Sequence, residues 1–471
     1  MSIPSPDFAL TRRAFLSRYA GSLGGLALAH LLAGETKGAG RGILASKEPH
    51  HRPRAKAVIC LFQHGGPSQM DLFDPKPELT KRHGQAHPGS LEIHFHTQVG
   101  KLLASPFKFQ RCGRSGMELA ELLPHTARIA DEITLVRSMT TDSVDHEAAL
   151  RVIHAGKTFP GRPVWGSWVL YGLGTARQDL PAYVVLGDPG GLPVDGPHNW
   201  SSGFLPAVYQ GTPLRAVGAP VANLQPPGGV SPRARRNQLR FLDELNADHL
   251  KRNAPNSELE ARISNFELAA RMQTSVPSAL DLSRETAETR QLYGLDDPAT
   301  AEYGRRCLLA CRLVEQGVRF VQLFLNGQPW DTHDKNAERL KGLCAQTDRP
   351  SAALVTDLKR RGLLDSTIVL WTGEFGRLPV SQGPNGRDHN RHGFSLWLAG
   401  GGFKKGYVHG ATDEFGYRSV KDVVRVCDLH ATLLDALGLD HRRLTHPHEG
   451  RNDSLTDHDV TKAHVVPALL A

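Results

Sequence analysis

The sequence contains no run approaching the ~18 consecutive apolar residues that a membrane helix requires. It has no internal repeat, no basic face and no nucleic-acid-binding motif, so neither a repeat architecture nor a DNA- or RNA-binding protein is indicated. Cysteine is scarce: Cys60, Cys112, Cys307, Cys311, Cys344 and Cys427 include no Cys-x-x-Cys pair, which excludes the common zinc-ribbon and dithiol frameworks. Cys307 and Cys311 lie four apart on a helical pattern and share a face. Buried thiols are expected, with room for one disulfide. The Gly-x-Ser-x-Gly nucleophile elbow is also missing. That excludes an α/β-hydrolase esterase, although His64-Gly65-Gly66 after a strand imitates its oxyanion loop.

The net charge of +8 is unevenly placed. Residues 1–56 hold nine Lys/Arg against three Asp/Glu, so +6 of the +8 sits there and the rest of the chain is near neutral. In that basic start, Thr11-Arg12-Arg13-Ala14-Phe15-Leu16 precedes a weakly hydrophobic Gly/Ala-rich stretch from Tyr19 to Ala33. This resembles a twin-arginine export signal over residues 1–33, which implies a periplasmic or extracellular location. Residues 34–55 read as a spacer.

Strand-like apolar runs occur at Ala57–Phe62, Ile133–Val136, Tyr183–Leu186, Val318–Leu325, Thr367–Trp371 and Ser395–Leu398. Several are continuous rather than alternating, as expected for strands covered on both faces. Helical patterns separate them at Met117–Asp131, Asp145–His154, Trp165–Tyr171, Thr300–Gln316, Ser351–Arg361 and Val420–Leu437. The alternation predicts an α/β three-layer sandwich with a mostly parallel central sheet over residues 56–450. Residues 188–232 are Gly/Pro-rich and read as an irregular excursion. Residues 234–292 carry no strand signal and read as a helical insertion. Residues 451–471 read as a tail.

Parallel α/β sheets put their chemistry on loops at the carboxyl ends of strands. Three such loops here carry Asp, Glu and His. The first strand runs into Gln63-His64-Gly65-Gly66-Pro67-Ser68-Gln69-Met70-Asp71, then Asp74-Pro75-Lys76-Pro77. The mid-chain strand is followed by Trp330-Asp331-Thr332-His333. The run Ser366–Thr372 opens into Gly373-Glu374-Phe375-Gly376-Arg377, with Arg387-Asp388-His389-Asn390-Arg391-His392 close behind. A polar turn capping a helix accounts for any one loop; three at one sheet edge point to a divalent-metal site. A metal enzyme then requires Asp71, Asp331, His333, Glu374, Asp388 and His389 to converge within roughly 5–8 Å. A non-catalytic envelope protein leaves them scattered.

Gly65-Gly66-Pro67-Ser68 with Asp71 and Asp74-Pro75-Lys76-Pro77, Arg137-Ser138-Met139, Trp330-Asp331-Thr332-His333, Glu374-Phe375-Gly376-Arg377, Asp388-His389 and Asp428-Leu429-His430-Ala431-Thr432 together resemble the domain-of-unknown-function 1501 family, over about residues 55–450. That family is similar to the alkaline phosphatase/sulfatase superfamily. The resemblance implies an alkaline phosphatase-like fold, one or two divalent ions (Zn, Ca, Mg or Mn) and a small-molecule or polysaccharide ester of sulfate or phosphate as substrate. It implies Asp71 as a first-strand metal carboxylate and Asp331 with His333 as a mid-chain ligand pair. Glu374 falls where the superfamily has Asp-His; Phe375 follows it, so Asp388, His389 or His392 supplies the late ligand.

The Cys/Ser-x-Pro-x-Arg motif of sulfatases is absent. The segment from His146 to Gly156 is similar to the helix that begins with the sulfatase nucleophile, and His146 occupies the nucleophile's place. Thr140, Thr141 and Ser143 lie just upstream, and a hydroxyl beside a metal is activated by a lowered pKa. His146 can equally serve as a ligand or general base, and a site that binds without hydrolysing stays open. Arg377 can grip a phosphate or sulfate oxygen bidentately or form a structural ion pair. His430 borders the apolar face of its helix, and Trp165 and Trp168 read as core. His94 and His96 share a strand face and read as surface residues.

Overall fold

The computed structural model describes residues 43–94, 99–177, 179–215, 231–253 and 257–471. The expected export signal, residues 34–42 of the spacer and His96 lie outside them. The central sheet contains β1 (Ala57–Phe62), β2 (Ile133–Thr140), β3 (Tyr183–Leu186), β4 (Thr212–Leu214), β5 (Phe320–Leu323), β6 (Thr367–Thr372), β7 (Phe394–Ala399), β8 (Tyr407–His409) and β9 (Val424–Arg425). Their spatial order is β8-β2-β7-β6-β1-β5-β3-β4, with β9 also on β2. Every pairing is parallel except those of β7, which runs antiparallel between β6 and β2. The architecture is α/β, with helices on both faces of a mostly parallel sheet.

The continuous apolar runs explain the layering. All six residues of β1 are buried, and alternate side chains point to opposite faces. Ile59 and Leu61 join one core with Leu308, Leu354, Leu358, Val369 and Trp371. Val58, Cys60 and Phe62 join the other with Trp165, Trp168, Leu370, Leu429 and Leu433. The principal helices are α1 (His146–Ala155), α2 (Trp165–Leu173), α3 (Pro232–Asn253), α4 (Ser257–Ala279), α5 (Ala301–Glu315), α6 (Asn336–Arg360) and α7 (Val426–Ala436). Helices α5 and α6 cover the first face; α2 and α7 cover the second.

Several elements differ from the sequence expectation. Met117–Asp131 is a strand, Met117–Ala120, followed by a short helix, Pro124–Arg128; Pro124 at the first helical position sets where the helix starts. Helix α6 begins fifteen residues before Ser351, because Pro350 sits inside it and does not end it. Helix α7 starts at Val426, after β9 and the strand Ser419–Lys421. Residues 451–471 are packed rather than loose: Leu455, Val466, Leu469 and Leu470 belong to the second core. Five of the six cysteines are buried and all six are free thiols. No described helix is long and apolar enough to cross a membrane.

Candidate metal centre

The loop after β1 is shaped by Gly65 and Gly66, whose φ values of 110° and 71° suit only glycine. A side chain on Gly65 would collide with the backbone nitrogen of Asp331. The loop after β5 therefore lies directly against the loop after β1. Two bonds pin them: Trp330 donates its backbone N–H to His64 O (3.0 Å) and its indole N–H to Gln63 Oε1 (3.0 Å). A small antiparallel hairpin, Gly376–Gln382 with Gly386–Asn390, extends from the end of β6 over the same edge. Arg377 and His389 are paired across it, so both reach the same point.

That point is Asp331. His333 Nε2 stands 2.9 Å and His389 Nε2 3.2 Å from its Oδ1, and His146 Nε2 stands 3.4 Å from its Oδ2. One ligand-type atom from each of His146, Asp331, His333 and His389 fits within 4.8 Å of all the others. The outer nitrogens are held by acceptors. His146 Nδ1 bonds to Glu374 Oε1 (2.7 Å), His389 Nδ1 to the carbonyl of Val144 (2.6 Å) and His333 Nδ1 to Gln382 Oε1. An Nδ1 that donates to its oxygen leaves the Nε2 on the Asp331 side as the atom able to ligate a metal. This is the outer-shell pattern that orients metal-ligating histidines.

The donor chemistry fits a divalent ion. Three imidazole nitrogens and one carboxylate oxygen form a four-atom set of the kind borderline cations prefer, and a metal binding there would displace the proton that His146 otherwise holds. His146 Nε2 is buried without a well-formed hydrogen bond of its own, which a metal would satisfy. Asp331 is pushed up by burial, but the facing imidazoles of His146, His333 and His389 and the charge of Arg377 hold it well below the usual carboxylate range. Burial lowers His389 to about 3 against the pull of Asp331, leaving it neutral. Burial also disfavours the charged form of His146, but Asp331 and Glu374 outweigh it and raise this imidazole to about 9.

Other expected site residues have different places. Glu374 does not face the centre: its carboxylate accepts the Gly65 N–H (2.8 Å) and the His146 ring, so it stands behind His146. Arg377 is fully buried and committed, donating to Gly66 O (2.9 Å), Arg387 O (3.0 Å), Gly65 O and Asp331 Oδ1 (2.6 Å). It is a strut between loops and has no face for an anion. Asp71 is also fully buried. It pairs bidentately with Arg387 (2.7 and 3.0 Å), accepts from Ser68 and Asn336, and is not one of the four clustered residues. Asp388 accepts the backbone N–H groups of His94 and His389. His392 pairs with Glu92 (2.6 Å), away from the cluster. The Thr141 hydroxyl is buried with no hydrogen-bond partner among the described residues. His94 is exposed, as expected, and its ring stacks on His389 with centroids 5.1 Å apart. Gln382 was not anticipated. It lies 49 residues from His333 on a hairpin strand, and an isolated glutamine carries no sequence signal.

Carboxyl-end loops of a mostly parallel sheet, converging on a His/Asp donor set, define an α/β protein with a possible metal-binding centre. A family model described as "Protein of unknown function (DUF1501)" matches residues 55–470, and the chain belongs to that family. The comparison with curated proteins returns no match. Among solved structures the chain is similar to the PsFucS1 sulfatase from Pseudoalteromonas sp. (11% identity, 82% of this chain and 68% of that one, TM-score 0.35). It is similar to a protein in the alkaline phosphatase superfamily from Vibrio parahaemolyticus (11%, 84% and 70%, 0.36). It is also similar to the phosphonate monoester hydrolase SpPMH from Silicibacter pomeroyi (11%, 88% and 76%, 0.34).

Proposed function

We propose that the chain is an exported, metal-dependent hydrolase acting on a sulfate or phosphate ester of a small molecule or polysaccharide. The observation that carries this reading is the convergence of His146, Asp331, His333 and His389 at the carboxyl edge of the sheet, each Nδ1 fixed from behind. Asp331, His333, His389 and His146 would hold the ion. Three imidazoles favour zinc over calcium, magnesium and manganese, which prefer oxygen donors. A divalent ion there supplies Lewis acidity to an ester oxygen and lowers the pKa of water.

The residues around it supply position and access. Glu374 fixes the ring of His146, and Arg377 locks the Asp331 loop against the Gly65-Gly66 loop. The His333 side chain is 26% exposed and that of His389 is 3% exposed, so water and substrate approach from the His333 side. With the Cys/Ser-x-Pro-x-Arg motif absent and the Thr141 hydroxyl making no hydrogen bond to the cluster, water is the attacking group in this reading. The twin-arginine-like start supports export to the periplasm or beyond.

A metal- or ligand-binding envelope protein that no longer hydrolyses is the second reading. It is favoured by the complete burial of Arg377 among the loop carbonyls and Asp331, which leaves that guanidinium no exposed face for a substrate oxyanion. Elemental analysis of purified protein, with sulfate- and phosphate-ester assays on the wild type and Asp331→Ala, tests both. Bound metal and turnover, both lost in Asp331→Ala, support the hydrolase. Bound metal without turnover supports the binder. Absence of metal, or full activity in Asp331→Ala, overturns the metal centre in both readings.

A further inference from the structure

Residues 91–94 supply no ligand to the metal centre, yet they are built onto one of its histidines. Leu91 and Ile93 pack on a small core of Met70, Leu79, Leu102 and Leu378. The alternate residues, Glu92 and His94, are exposed. Glu92 is tied down by its backbone N–H, which donates to the Tyr417 hydroxyl (2.8 Å), and by its carboxylate, which holds Arg391 (2.9 Å) and His392 (2.6 Å). Asp388 fixes the next step. Its Oδ2 accepts the backbone N–H of His94 (3.0 Å) and its Oδ1 that of His389 (2.8 Å). One carboxylate therefore sets these two histidines side by side.

The His94 ring lies on the His389 ring, with centroids 5.1 Å and planes 24° apart. His333 meets His389 at a centroid distance of 4.7 Å. The His389 side chain is almost wholly buried, whereas that of His333 is 26% exposed and His94 is exposed. His94 and His333 thus border the entrance to the centre. An anionic ester arriving there needs hydrogen-bond donors beside the ion. Arg377 offers none, because it is wholly buried, and Arg391 and His392 are turned to Glu92. An imidazole carries an N–H donor in either protonation state, so His94 can supply one without a change of charge.

We propose that His94 is a substrate-contacting residue, donating a ring N–H to a non-bridging oxygen of a phosphate or sulfate group held at the metal centre. This rests on the metal-centre reading above. The test is calorimetric titration of the zinc-loaded protein with inorganic phosphate and, separately, inorganic sulfate, beside zinc affinity by chelator competition. His94→Phe keeps a ring on His389 and removes the donor; His94→Gln keeps a donor and removes the ring. The wild type is expected to bind at least one of the anions, and which one it binds separates the two sources. His94→Phe should bind it roughly 10–100-fold more weakly, the order of a hydrogen bond to a charged group. His94→Gln should retain most of the affinity, and zinc affinity should be the same in all three proteins. Equal anion affinity in His94→Phe and the wild type overturns the proposal. So does a loss of anion binding that tracks a loss of zinc, which would make His94 a structural cover for His389. A zinc-loaded wild type that binds neither anion overturns it and leaves the metal centre standing, whereas a wild type that takes no zinc removes the centre and the proposal together.

Discussion

Glu374→Gln separates a residue behind the metal from a residue on it. The carboxylate is fully buried and serves two donors, the Gly65 N–H at 2.8 Å and His146 Nδ1 at 2.7 Å. A glutamine of the same shape has one acceptor oxygen and one NH2 group. Whichever way it turns, one N–H meets another donor, at a cost of about 1–3 kcal/mol for the unsatisfied buried group. His146 then loses its fixed orientation, and burial is opposed by one carboxylate fewer, so its pKa falls below about 9. Loss of such an outer partner costs about 10–100-fold in metal affinity, equivalent to about 1.4–2.8 kcal/mol. The assay is zinc affinity by chelator competition, on protein shown to be folded by chemical denaturation, beside Asp331→Ala. A Glu374→Gln protein with wild-type affinity would refute the orienting role. Loss as complete as that of Asp331→Ala would show that Glu374 is itself a ligand.

Three further outcomes follow from the same geometry. Asp71→Ala leaves Arg387 buried without its partner and should cost about 3–5 kcal/mol in urea unfolding, while the folded fraction keeps the metal content of the wild type. Gly65→Ala places a side chain at φ 110° against the Asp331 backbone; it should lower the melting temperature and weaken metal binding together, whereas Gly383→Ala, with open space around it, should lower only the former. Burial holds His154 at about 3, His430 at about 4 and His64 well below its ordinary value. Unfolding exposes them to their ordinary value of 6.5, so the unfolded state binds more protons below that pH. Stability is then complete above pH 6.5 and falls on acidification toward pH 4, by about 1.4 kcal/mol per pH unit for each histidine. His430→Gln should reduce that slope by one proton; an unchanged slope in pH-dependent denaturation would count against buried neutral His430.

The strands of the central sheet were legible because burial on both faces writes a continuous apolar run. Ala57–Phe62 and Tyr183–Leu186 are found with the bounds read from the sequence. Local rules failed where two signals overlapped, as at Pro350, which the packing of α6 accommodates. The candidate site was legible as a set of residue types on strand-end loops, and the cluster draws on that set. The division of labour within it was not. Asp71, Glu374 and Asp331 are all carboxylates after strands, and nothing local separates a residue paired with Arg387 from one behind His146 or one at the centre.

The sequence by itself determined the layered α/β class, the family and the edge of the sheet where chemistry can lie, because hydrophobic period and loop composition are local properties. Only the tertiary structure decided which side chains meet. Arg377 faces Asp331 because a hairpin register pairs it with His389. His146 reaches the same carboxylate from a helix 185 residues earlier in the chain. A donor set depends on distances between loops that are far apart in sequence, and those distances are fixed by the packing of the whole sheet edge.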